Sequence, residues 1–110
     1  MTSAQTTLHA LLFRRREWYI AQCLEHDIAV QARSFDDARY EFERALLGRL
    51  VVAAELGCDP FAGLPKAPLR YWRLFEEAAP LALEEGKYSM PRLPQAAPHL
   101  ELRTPVGALA

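Results

Sequence analysis

The first half of the chain alternates between short apolar stretches and polar breaks, and then changes period. Leu8-His9-Ala10-Leu11-Leu12-Phe13 is an apolar run with one polar break, too short for a helix in this setting. Arg14-Arg15-Arg16-Glu17 interrupts it, and Trp18-Tyr19-Ile20-Ala21-Gln22-Cys23-Leu24 follows, rich in aromatic and branched residues. The pattern predicts two strands joined by a tight charged connection, with no Asn-Gly or Asp-Gly pair to specify the turn. Glu25-His26-Asp27 reads as the next turn. Beyond it Ile28, Val30 and Ala32 share one side of a period-two segment, as in a half-buried strand. Three strands with short connections predict an antiparallel meander.

Ser34 is where the period changes. It suits an N-cap, Asp37 three residues later makes a variant of the capping box, and Asp36 and Asp37 complement the helix dipole. Phe35, Ala38, Phe42, Ala45/Leu46, Ala53 and Leu56 then recur at helical spacing, opposite Arg39, Glu43 and Arg44. Gly57 supplies a C-terminal stop and Pro60 prevents continuation, which predicts a helix of about six turns. Its second half, Leu46 to Ala54, is apolar nearly all round, more than one sheet face can cover. Cys58 to Pro68 holds three prolines and one glycine and reads as a connector. Leu69 to Ala79 predicts a short helix behind Pro68, with Tyr71, Trp72 and Phe75 as anchors that would cover the long helix. From Gly86 on, Pro91, Pro94, Pro98 and Pro105 favour extended or polyproline conformation, and the alternating Leu100-Glu101-Leu102-Arg103 fits an edge strand.

The expected fold is therefore α+β: a three- to four-stranded antiparallel sheet on one long helix, with a short second helix over residues 1–85 and a proline-rich tail over 86–110. At 110 residues the chain is sized for one domain, and 51% hydrophobic with 25% charged residues is ordinary globular composition. A net charge of −1 supplies no whole-molecule field for nucleic acid or anionic lipid. Residues 1–7 lack the order of a signal peptide, and no apolar run reaches the ~18–20 residues that span a bilayer. A soluble, cytoplasmic protein with reduced thiols is expected.

The segment Trp18-Tyr19-Ile20-Ala21-Gln22-Cys23-Leu24-Glu25-His26-Asp27-Ile28-Ala29-Val30-Gln31-Ala32-Arg33, followed by Ser34-Phe35-Asp36-Asp37-Ala38, resembles the HicB-like antitoxin domain. The resemblance lies in the aromatic strand, the acidic turn, the third strand and the Ser-x-Asp-Asp-Ala helix start, and it covers roughly residues 7–56. It implies a β-β-β-α core, often completed by a fourth strand, and a tendency to self-associate. Antitoxins of this family bind a small RNA-cleaving toxin and usually carry a C-terminal DNA-binding module. Residues 57–110 contain no second pair of capped helices with a basic face, so the resemblance is to a solitary HicB-like domain. The glycine often found before the helix start is replaced here by Ala32-Arg33.

Candidate chemistry is sparse. Cys23 and His26 have C-x-x-H spacing, but a structural zinc site needs four ligands and no second tight pair is present, so no metal or cofactor is expected. A Cys23/His26/Asp27 catalytic set fails because a strand thiol and a histidine three residues on do not generally face each other, and no catalytic residues are assigned. Arg14, Arg15 and Arg16 beside Trp18 have the chemistry for nucleic-acid contacts, against the plainer reading of a solvated turn that the net charge favours. Leu47, Leu50, Val51 and Ala54, with Tyr71, Trp72 and Phe75, are the candidate interface. The expected protein is a non-enzymatic, self-associating interaction domain, most simply a dimer, with a toxin-like small protein as a further candidate partner. A second route to association is a strand edge, either Leu8–Phe13 or Ile28–Ala32.

Overall fold

The computed structural model describes residues 7–80 and 99–105. Strand β1 (Thr7–Arg15) pairs antiparallel with β2 (Trp18–Cys23), which pairs antiparallel with β3 (Ala29–Ala32), forming the expected meander. Arg14 and Arg15 belong to β1 and not to the turn. Arg15 lies opposite Trp18, so Arg16 and Glu17 alone make the connection. Arg16 takes φ 58°, the first position of a two-residue hairpin loop, where glycine is the usual occupant. The β2–β3 turn is held from within: Gln22, 4% exposed, donates through Nε2 to Asp27 Oδ1 (2.8 Å) and to the Cys23 carbonyl (2.9 Å).

Helix α1 (Phe35–Leu56) begins as its sequence dictates. Ser34 Oγ accepts from the Asp37 amide at 3.1 Å, with Asp36 and Asp37 in the first turn. Gly57, at φ 66°, ends it in the left-handed conformation, and the Gly57 and Cys58 amides both donate to the Ala53 carbonyl. Ala38, Phe42, Leu46 and Ala53 turn inward. Phe42 is fully buried among Leu8, Ala10, Leu12, Ala21 and Cys23, which form one face of the sheet.

Two features depart from the sequence expectation. Helix α2 (Leu69–Glu77) does not cover α1. It packs on the opposite face of the sheet, where Tyr71 and Phe75 bury against Leu11, Phe13 and Leu24. The connector makes this possible by crossing the β2–β3 turn: the Asp27 amide donates to the Pro65 carbonyl (2.7 Å) and the Ala67 amide to the Leu24 carbonyl (2.9 Å). The sheet is also mixed, not purely antiparallel. Strand β5 (His99–Thr104) lies parallel to β1, with Leu8 opposite Leu100 and Ala10 opposite Leu102. The two-residue β4 (Ala79–Pro80), at a point expected to end α2, pairs antiparallel with β5. Sheet order is β3-β2-β1-β5-β4, so β1 is central and not an edge, and Leu100–Arg103 is interior to the sheet. Leu100 and Leu102 pack on the Phe42 cluster, so this part of the proline-rich tail belongs to the core. The expected polyproline path through Pro91, Pro94 and Pro98 falls outside the described residues.

Because Phe42 is fully buried among side chains of β1 and β2, Phe42→Ala should cost about 3–5 kcal/mol through lost burial and the cavity left behind. A change in denaturant-unfolding stability below ~1 kcal/mol would show that α1 presents another face to the sheet.

Candidate functional site

Strand parity sorts the hairpin side chains. Leu8, Ala10 and Leu12 face α1, so Arg14 continues that side, resting 5.8 Å over the Tyr19 ring while its Nε donates to the Arg16 carbonyl (2.8 Å). Leu11 and Phe13 face α2, so Arg15 continues the other side, 5.8 Å over the Phe13 ring. Trp18, opposite Arg15, is half-buried and covered by the Arg33 guanidinium at 4.0 Å. Arg33 also pairs with Glu17 at 3.2 Å. The three consecutive arginines therefore do not form one patch: Arg14 and Arg15 lie on opposite faces, with Arg16 at the tip.

Across the α2 side, Tyr71 continues the row. Its ring lies 6.0 Å from Phe13, and Arg70 sits 4.7 Å over it while Nη2 donates to the phenol oxygen at 3.4 Å. That hydrogen bond, reinforced by Arg15, holds the Tyr71 phenol below its ordinary pKa, against the opposing effect of desolvation. Arg33 and Arg70 carry no signal of this role in the sequence. Arg33 reaches the Trp18 side through the β2–β3 register, and Arg70 reaches the hairpin only because α2 crosses to that face.

The interface candidates separate into two groups. Tyr71 and Phe75, each 8% exposed, are core residues and have no free surface to offer, which corrects the expectation that they anchor an interface. Trp72 is half-buried, its Nε1 donating to the Ala67 carbonyl at 3.2 Å. Leu47, Leu50, Val51 and Ala54 remain together on the outer side of α1, at i, i+3, i+4 and i+7. Leu47 and Leu50 are half-buried; Val51 and Ala54 are exposed.

Cys23 points into the α1-side core, where desolvation pushes its thiol upward. His26 stacks on Phe61 at 4.0 Å. Among the described residues no cluster of three or more His, Cys, Asp and Glu is placed to hold a metal ion. A polar group that sequence reasoning missed lies on the α2 side. His9 Nδ1 is 2.6 Å from Glu25 Oε2, and its Nε2 is 3.3 Å from Glu101 Oε2. Arg103 pairs with Glu101 at 2.8 Å and donates through Nη1 to the Phe75 carbonyl at 3.0 Å. The polar break at His9 in an otherwise apolar strand is its one signal. A pocket of about 550 Å³ lies between the end of α1 and the connector, beside Arg49, Val52 and Asp59. Arg49 there donates to the Pro60 carbonyl and Asp59 accepts from the Phe61 amide, so both side chains hold the connector in place.

Comparison with family models, with curated proteins and with solved structures finds no match for this chain. Among the described residues no helix is long and apolar enough to cross a membrane.

The two thiols differ enough to be read directly, since Cys58 is exposed and Cys23 buried. An aromatic disulfide reagent should release one equivalent quickly from native protein, lost in Cys58→Ser, and the second only in denaturant. Two fast equivalents would show that β2 does not bury its Cys23 face.

Proposed function

We propose that this chain is a non-enzymatic, self-associating interaction domain of the HicB-like, antitoxin-like kind. The observation that carries the reading is the outer stripe of α1. Leu47, Leu50, Val51 and Ala54 form an apolar strip on a helix whose opposite side already fills the core with Ala38, Phe42, Leu46 and Ala53. Exposed Val52 and Leu56 extend apolar surface toward the helix end. The short helix that would have covered this surface lies on the far side of the sheet. Contiguous apolar surface of this kind on a small domain marks an association site, and a twofold pairing of α1 with its copy is the simplest closed solution.

The antitoxin-like part of the reading is supported by residues 18–38, whose strand-turn-strand and capped-helix order matches the resemblance. A toxin-like small protein is the corresponding candidate for a partner besides the second copy. The non-enzymatic part is supported by the burial of Cys23, whose thiol pKa desolvation pushes up and away from nucleophilic use.

Light scattering at micromolar concentration should give at least twice the chain mass of 12.5 kDa. Leu50→Glu, on the outer side of α1, should return the protein to a single-chain mass with its circular dichroism unchanged. A wild-type protein that already has the single-chain mass at that concentration would refute self-association.

A further inference from the structure

Three arginines from three different elements share the α2 side of the sheet, and each lies on an aromatic ring. Arg15, from β1, lies over Phe13; Arg33, just after β3, lies over Trp18; and Arg70, from α2, lies over Tyr71. The rings connect them. Tyr71 neighbours Phe13 at 6.0 Å, and Arg15 is the cross-strand partner of Trp18, so the row runs Arg70, Tyr71, Arg15, Trp18, Arg33. Among the described residues Arg15 and Arg70 pair with no carboxylate, and the Glu17 bridge to Arg33 joins two side chains that are 70% and 64% exposed. The first turn of α2, beside Arg70, contains no acidic residue. The acidic first turn of α1, by contrast, belongs to the helix on the other face. Among the described residues the row therefore carries three arginines against one acidic contact, Glu17, although the net charge of the chain is −1.

We propose that this arginine–aromatic row binds single-stranded nucleic acid, with the guanidinium groups taking successive phosphates and the half-buried Trp18 meeting a base. A guanidinium resting on a ring has its plane fixed. With one nitrogen of Arg70 on the Tyr71 phenol and one of Arg33 on Glu17, the remaining N–H groups engage a phosphate with less loss of side-chain freedom than a solvated arginine. Phosphate accepts that fork bidentately. With Phe13 and Tyr71 buried, Trp18 is the ring of the row that keeps surface, and a nucleic-acid strand offers a base to it beside the phosphates, whereas an acidic peptide carries charge without that flat face. The lowered Tyr71 pKa is a second sign that anions are favoured at this spot. The row lies on the opposite face of the sheet from the α1 stripe, so it goes beyond the self-association reading and stands or falls separately.

The test is fluorescence anisotropy of a labelled twelve-nucleotide oligo-dT strand at low salt, with wild-type protein and folded variants checked by circular dichroism. Binding should weaken with salt at a logarithmic slope of about −2, as expected for roughly three phosphate contacts on a single strand. Arg33→Gln and, separately, Arg70→Gln should each lower the affinity about three-fold or more, whereas Arg44→Gln on α1 should leave it unchanged. Arg33 is exposed and outside the core, so its variant stays informative even if Arg70→Gln unfolds. Oligonucleotide should also raise the pH at which phenolate absorbance appears, and Tyr71→Phe should abolish that shift. No anisotropy change up to about 100 µM, the weak end of ordinary non-specific binding, would overturn the proposal. So would equal loss with Arg44→Gln, or equal competition by polyglutamate of matched charge.

Discussion

Burial of β1 on both faces is the constraint from which the rest of this architecture follows. Leu8, Ala10, Leu11 and Leu12 are each at most 1% exposed, although successive residues of a strand point to opposite sides. A strand in that position needs a neighbour on each edge and a layer on each face. β2 and β5 supply the edges, α1 and α2 the layers. The near-continuous apolar run from Leu8 to Phe13 is what such a strand requires, and it differs from the alternation of β3, which lies at the edge with Ala29 and Gln31 exposed.

Placing two helices on two faces demands a chain that passes around the sheet. The connector after Gly57 does this with few residues, bonding to the β2–β3 turn at Asp27 and Leu24 and stacking Phe61 on His26. Its three prolines restrict the path in the unfolded chain as well as the folded one, which lowers the entropic cost of holding it extended. The consequence for function is a separation of surfaces. The outer side of α1 stays apolar, with Val51 and Ala54 exposed, while the arrival of α2 on the other side brings Arg70 and Tyr71 to the face that already carries Arg15, Trp18 and Arg33.

The parallel strand is tied down by polar as well as apolar contacts. Leu100 and Leu102 enter the α1-side core, and on the alternate residues Glu101 and Arg103 meet His9 and the end of α2. Arg103 also lies 4.3 Å over the Phe75 ring. One residue of slip along β5 would expose both leucines and bury both charges, so register is specified on the two faces at once.

The amino-acid sequence by itself determines each local element: the three strands of the meander, the Ser34 cap, the Gly57 stop and the inward stripe through Phe42. These depend on side-chain period and on hydrogen bonds within a few residues, and such interactions are written in contiguous sequence. The α1 stripe at Leu47, Leu50, Val51 and Ala54 is legible for the same reason. The face chosen by α2, the parallel pairing of residues some ninety positions apart and the joining of Arg15, Arg33 and Arg70 are decided only by the tertiary structure. Tyr71 and Phe75 are equally apolar against either side of the sheet, and an alternating segment such as Leu100–Arg103 fits either edge in either direction. Which option prevails depends on which one buries both faces of β1 and completes its hydrogen bonds, a condition that exists only when all the elements are present together.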